Sequence, residues 1–408
     1  MPEPATGATP TTPRSHMWPL YAAGFTTAFG AHGIAANLGS FTAGRHESLL
    51  VLGGLLALYD GAEVLLKPVF GTLSDRVGAR PVLLGGLALF AASSASFVLI
   101  HDIGLLWLAR IGQGAGASAF SPAASALVVR LNPQSKHGRA FGSYGFYKSI
   151  GYTTGPLLGG TITALGSLPW LFGVMAVLAT AVAVWALMAV PAVAPLPRSR
   201  QTVLDLARRL ADGAFLRPTT ALAFATAALS AGVGFLPVLG HAAGLGTVAT
   251  GAAVSVLALC AAVVQPKAGR ALDEGRIATA PSLAVGLLIT SAGLTLAALP
   301  GAVGLLPAAV AIGAGTGLIT PIGFAALAAS TPADRLGQTM GAAELGRELG
   351  DAGGPLVVAG TAVVTTLSGG FVALAALTAL AAPAVARRRA GTTAEAPTSD
   401  QTSPGLRQ

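Results

Sequence analysis

Two short stretches of this chain place ionisable side chains where apolar surroundings make them costly. Asp60, Glu63 and Lys67 stand three and four residues apart, and Glu344, Arg347, Glu348 and Asp351 repeat that spacing. On a helix, residues three and four apart share a face. Carboxylates interleaved with cations on one face can hold a charged ligand or pass a proton. Tyr144, Lys148 and Tyr152 lie at i, i+4 and i+8. That stripe offers aromatic faces, hydroxyls and an ammonium, which suits stacking on a small ligand or hydrogen-bonding it. His32 and Arg110 are single ionisable groups inside other apolar runs. His32 reads as a packed histidine or a further contact to a ligand.

The elements that position these groups are membrane helices. Of the 408 residues, 53% are hydrophobic and only 10% charged, against roughly 25% charged in a soluble domain. Twelve apolar runs are long enough to cross ~30 Å of hydrocarbon. They fall near 17–38, 48–70, 81–100, 104–130, 139–163, 168–190, 217–238, 247–265, 278–298, 302–328, 337–360 and 365–386. The fold class is therefore an all-α integral membrane protein of twelve transmembrane helices. In such a setting each buried charge costs at least ~2.5 kcal/mol, so charges that persist call for a reason.

The net charge of +8 does not point to nucleic acid, because 20 of the 24 Lys and Arg fall on one side of the spans. Arg45 lies on the other side, and Arg110, Lys148 and Arg347 lie within spans. This bias places both termini and the charged loops in the cytoplasm of a cell (inner or plasma) membrane. The single cysteine, Cys260, excludes an intrachain disulfide and a cysteine metal cluster. There is no G-x-x-x-x-G-K-[ST] phosphate loop and no G-x-S-x-G nucleophile elbow, and the histidines are scattered. No enzyme, cofactor or metal site is expected.

The chain divides into a polar start (1–16), a first six-span bundle (17–190), a linker (191–216), a second bundle (217–386) and a Thr-, Ala-, Pro- and Ser-containing tail (387–408) read as disordered. The halves repeat. A shift of 199 lays Gly151, Gly155 and Pro156 on Gly350, Gly354 and Pro355, and Lys148 on Arg347. A shift of 198 lays Pro68, Gly71 and Asp75 on Pro266, Gly269 and Asp273. Two parallel six-span repeats are a transporter architecture, with the site between them near the midplane.

The residues resemble the major facilitator superfamily over nearly the whole chain. The stretch GTLSDRVGARPVLL (71–84) is similar to its motif A, through Gly71, Asp75, Arg76, Gly78 and Arg80, with Pro81 where a second basic residue is usual. The resemblance implies a latch between the halves on the cytoplasmic side, and Asp75 suits the positive N-terminal end of a neighbouring helix. ARIGQGAGAS (109–118) resembles motif B, through Arg110, Gln113 and Gly114, and implies a role for Arg110 in proton transfer. GFYKSIGYTTGPLLGG (145–160) resembles motif C of the antiporter branch, through Gly151, Gly155, Pro156, Gly159 and Gly160. Its glycines allow close helix approach, giving a tight contact that could act as pivot and seal. The resemblance also makes spans two and eleven neighbours across the halves, as it does five and eight.

The repeat then separates scaffold from function. Asp60, Glu63, Lys67 and Arg110 fall on Ala258, Ala261, Gln265 and Ala309, so the fold does not need those charges in both halves. Four cations in or at the ends of the spans (Lys67, Arg110, Lys148, Arg347) stand against five carboxylates (Asp60, Glu63, Glu344, Glu348, Asp351). A carboxylate without a partner in a low-dielectric site favours its protonated form, as a proton carrier requires. Asp60 or Glu63 is the first candidate, and Glu348 and Asp351 follow. Lys67 is their partner or an anchor at the cytoplasmic edge. Lys148 and Arg347 would hold carboxylates or meet an anionic group of the substrate. The expected function is proton-coupled export of a small cationic or zwitterionic organic compound by a monomer with substrate, protons and lipid as its partners. The alternatives are metal-cation export, proton-coupled uptake, and lipid flipping on the same fold.

Overall fold

The computed structural model describes residues 14–44, 49–99, 103–194, 211–244, 247–299 and 302–386. Arg45, most of the linker, the first thirteen residues and the tail lie outside the described residues. Twelve long helices make up the described chain, with short 3-10 turns between some of them. The first half holds α1 (Trp18–Gly44), α2 (Leu49–Val77), α3 (Ala79–Leu99), α4 (Ile103–Arg130), α5 (His137–Leu165) and α6 (Leu168–Ala189). The second holds α7 (Gly213–Ala242), α8 (Thr247–Asp273), α9 (Thr279–Ala297), α10 (Ala302–Ala329), α11 (Leu336–Val364) and α12 (Leu367–Ala386). Seven of them (α3, α6, α7, α8, α9, α10 and α12) are long and apolar enough to cross a membrane by length and composition alone.

Within each half, helices close on one another through small residues and a few large apolar ones. Phe90 packs edge-on to Phe120, and Phe97 tilts against Phe172, all fully buried. Outward aliphatics such as Leu65, Leu157, Leu356 and Val363 are exposed, the surface a lipid-facing helix presents. The halves meet along α2 against α11 and α5 against α8. These four helices carry the charged and Gly-Pro stretches.

The structure differs from the sequence expectation at Pro68. The apolar span near 48–70 stops just after it, yet α2 continues through Pro68 and Gly71 to Val77. Pro68 removes one N–H donor, but a membrane helix tolerates this where neighbouring groups hold the backbone. The chain turns instead at Gly78, whose φ of 101° is open to glycine and strained for other residues. Likewise α8 runs past its apolar span to Asp273, with Pro266 inside it.

The motif C glycines pack α5 on α1, within the same half. A Cβ at Gly155 would lie 2.9 Å from the Phe29 carbonyl, and one at Gly151 would lie 2.6 Å from that of Phe25. Gly155→Val would therefore force α1 and α5 apart. Overpacking of this kind costs about 1–3 kcal/mol. We expect a lower midpoint of thermal unfolding in detergent for Gly155→Val, and little change for Gly160→Ala, whose nearest neighbour is 3.5 Å away.

Candidate functional site

Lys67 is the centre of the charged site. Its side chain is 1% exposed, and its Nζ lies 2.7 Å from Glu63 Oε2, 2.5 Å from Glu348 Oε1 and 4.0 Å from Glu344 Oε2. Glu63 shares its helix, while Glu344 and Glu348 belong to α11, so one ammonium ties the halves together. Lys67 thus does not anchor at the membrane edge. It is drawn inward because burial leaves an ammonium no partner but carboxylate. One positive charge between Glu63 and Glu348 leaves a negative charge over, and a single proton would neutralise it.

Arg110 reaches this cluster indirectly. Its guanidinium lies 4.3 Å from the centre of the Tyr59 ring and donates to Gln113 Oε1 at 3.2 Å. Gln113 in turn donates to Ser94 Oγ at 2.9 Å. The Tyr59 hydroxyl donates to Glu63 Oε1 at 3.0 Å. Arg110 forms no carboxylate ion pair among the described residues; Tyr59 stands between it and Glu63. Removing the hydroxyl in Tyr59→Phe deletes a hydrogen bond to a charged group, worth about 1.5–3 kcal/mol. We expect Tyr59→Phe to fold, with a lower midpoint of thermal unfolding in detergent.

The structure separates Asp60 from Glu63. Asp60 is exposed and has no ion pair within 4 Å among the described residues, whereas Glu63 is 5% exposed. The two carboxylates, three residues apart, therefore sit in different environments. Asp351 is half-buried, beyond ion-pair distance of Arg347, and hydrogen-bonds Ser230.

A second cluster forms around Glu344, which is fully buried. Its Oε2 lies 3.5 Å from Lys148 Nζ and 3.3 Å from Arg347 Nη1. Lys148 and Arg347 line a cavity between the halves, together with Tyr144, Tyr152, Gln265 and Phe324. The α5 stripe of Tyr144, Lys148 and Tyr152 thus faces a cavity. Tyr147 turns away and stacks on Tyr21 at 5.3 Å. His32 packs edge-on to Tyr152 at 4.3 Å.

On the side of the charged loops, two carboxylates cap helices of the opposite half. Asp75 accepts hydrogen bonds from the backbone N–H groups of Gly337 and Gln338, each at 2.7 Å. Asp273 accepts from those of Gly138 and Arg139 at 2.8 and 2.7 Å. Both use the orphan donors at a helix N-terminus. Gly71 lets α2 approach α11 here, since a Cβ would lie 2.5 Å from the Gly337 carbonyl. Arg80 donates to the Leu187 carbonyl at 2.6 Å, tying α3 to the end of α6. Arg76 is exposed at the last turn of α2.

Three residues gain importance that the sequence reading did not give them. Lys67 is the hub, Tyr59 the bridge, and Gln265 a lining residue. Gln265 occupies the repeat position of Lys67 and donates to Ser149 Oγ at 2.7 Å. Its place opposite a charged residue in the repeat was the available signal. Tyr59, four residues before Glu63, was visible by the same helical spacing that grouped Glu63 with Lys67.

Two pinned six-helix halves around buried charges define a membrane transporter. Residues 20–355 match the model of the Major Facilitator Superfamily, and the chain belongs to that superfamily, a family of transporters. Among its relatives, multidrug resistance protein MdtH of Cronobacter sakazakii is 36% identical over 110 residues, 27% of either chain. Inner membrane transport protein YajR of Escherichia coli is 29% identical over 45% of this chain and 38% of its own. Quinolone resistance protein NorA of Staphylococcus aureus is 28% identical over 31% and 34%. The matched stretches thus span well under half of each relative. Two solved structures share the fold: the human organic anion transporter MFSD10 (TETRAN), with a TM-score of 0.76 and 20% identity over 92% of this chain and 100% of that one, and the E. coli fucose:proton symporter FucP, with 0.72 and 16% over 91% and 98%.

Proposed function

We propose that the chain exports a small organic compound, cationic or zwitterionic, in exchange for protons entering the cell. The observation that carries this reading is the Lys67 cluster, where carboxylates of α2 and α11 share one ammonium across the interface of the halves. A site with one carboxylate in excess can take up a proton at little electrostatic cost, and doing so loosens the tie between the halves. Motif C favours exchange over uptake. The similarity to drug-resistance proteins supports a drug or metabolite as cargo, with a zwitterionic quinolone as a first probe. Against metal export, the oxygens of Glu63 and Glu348 are already engaged by Lys67.

In this reading residues 17–190 and 217–386 rock as two bodies about the linker 191–216, in a cell membrane, with the charged loops cytoplasmic. The two latches favour the arrangement closed on that side. The protein works as a monomer. The test is quinolone transport in proteoliposomes with an imposed pH gradient. Glu63→Gln should abolish the pH-driven component and Asp60→Asn should reduce it. Full pH-driven transport by both variants would refute the assignment of coupling to α2.

A further inference from the structure

The cavity between the halves presents cations without a carboxylate at its wall. Lys148 and Arg347 line it, while Glu344, which touches both, is buried behind them and does not. Glu344 balances one of the two charges. Glu63 and Glu348 do not supply another anion, since both pair with Lys67, and Asp351 lies beyond ion-pair distance of Arg347. The Lys148–Arg347–Glu344 group therefore carries one net positive charge at the edge of a low-dielectric space. Both cations also have donors to spare. An ammonium has three and a guanidinium five, and each contacts Glu344 through a single oxygen at 3.3–3.5 Å.

The rest of the lining offers aromatic faces. Phe324 stacks on Phe141 at 5.2 Å and lies 5.7 Å beneath the Arg347 guanidinium. Tyr144 and Tyr152 add two further rings. Gln265 is 4% exposed, and its Oε1, which lies against Gly145, has no hydrogen-bond partner. An unpaired polar atom buried in this way is costly.

We infer that this cavity binds the anionic group of its cargo, an aromatic compound bearing a carboxylate or similar oxyanion held between Lys148 and Arg347. The inference rests on the exchange reading above for its consequence: the cargo is a zwitterion rather than a simple cation. Its anion satisfies the cavity, and its ammonium competes with protons for the remaining carboxylates.

Isothermal titration of the full-length protein in nanodiscs with three probes of one skeleton tests it. Phenylalanine is zwitterionic, 3-phenylpropionate anionic and phenylalaninamide cationic. The two carboxylate probes should bind at least tenfold more tightly than phenylalaninamide. Lys148→Gln and Arg347→Gln should each weaken them about tenfold to a hundredfold, the range for a charged hydrogen bond, and should not weaken phenylalaninamide. Lys148→Arg, which keeps the charge should a glutamine variant fail to fold, should retain the preference. Equal or tighter binding of phenylalaninamide by the wild type, or no binding of either carboxylate probe, overturns the inference. Measuring pH-driven transport by Glu63→Gln in parallel keeps the two readings apart. No carboxylate preference, with pH-driven transport that Glu63→Gln abolishes, sinks the anion site alone; a clear carboxylate preference, with pH-driven transport that Glu63→Gln leaves intact, sinks the exchange reading alone.

Discussion

Replacing Lys67 with methionine is expected to be the most damaging single change in the protein. Lys67 is the only cation within 4 Å of Glu63 and Glu348 among the described residues. Lys67→Met would leave both carboxylates, with Glu344 near them, facing one another at the interface of the halves. Removing one partner of a buried ion pair costs about 3–5 kcal/mol, because the remaining charge is buried without compensation. Thermal unfolding in detergent should show a large loss of stability, and pH-driven transport should vanish. The triple change Lys67→Met, Glu63→Gln, Glu348→Gln separates the two effects. Replacing a buried ion pair as a unit is often neutral for stability, so this variant should recover the unfolding temperature without recovering proton coupling. A Lys67→Met protein as stable as wild type would show that the cluster is not held as described.

The second large effect concerns the paired latches. Asp75 and Asp273 each accept two backbone hydrogen bonds from a helix end of the opposite half. A hydrogen bond to a charged group contributes about 1.5–3 kcal/mol. Asp75→Ala should therefore shift the balance between the two arrangements of the halves by at least about tenfold, and Asp75→Ala with Asp273→Ala by considerably more. Spin labels on the turns at 134–136 and 333–335 would report this by electron–electron double resonance. The expected result is a short-distance population in wild type and a longer one in the double variant. An unchanged distance distribution in the double variant would mean that the helix caps do not hold this side closed.

Much of this was legible in the chain itself, and the reasons differ by residue. The repeat at a shift of 198 aligned Asp75 with Asp273, and the second latch follows that register. The adjacency of α2 to α11 and α5 to α8 followed from the resemblance to the superfamily. Helical spacing grouped Glu63 with Lys67, and Tyr144 with Lys148 and Tyr152. Spacing did not give the exposure of Asp60, which still lies within electrostatic reach of Glu348, Arg110 and Lys67. It fixes which side chains share a face, but three residues also move 4.5 Å along the axis at about 1.5 Å each. That distance separates a buried hub from an exposed carboxylate. The pairing of Lys67 with Glu348, 281 residues away, depends on how α2 and α11 are rotated against each other. No local pattern encodes that rotation. Pro68 sits inside α2 for a related reason, since a proline that would end a helix in water can be carried inside one packed between neighbours.

The central claim is that protons and cargo share the site between the halves and move in opposite directions. The most direct measurement uses proteoliposomes that trap a pH indicator, with a cargo gradient imposed and no initial pH gradient. Cargo leaving the lumen should drive protons in and acidify it. Glu63→Gln should show no acidification. Cargo movement with no pH change, or an alkaline shift from protons leaving with the cargo, would contradict the exchange mechanism.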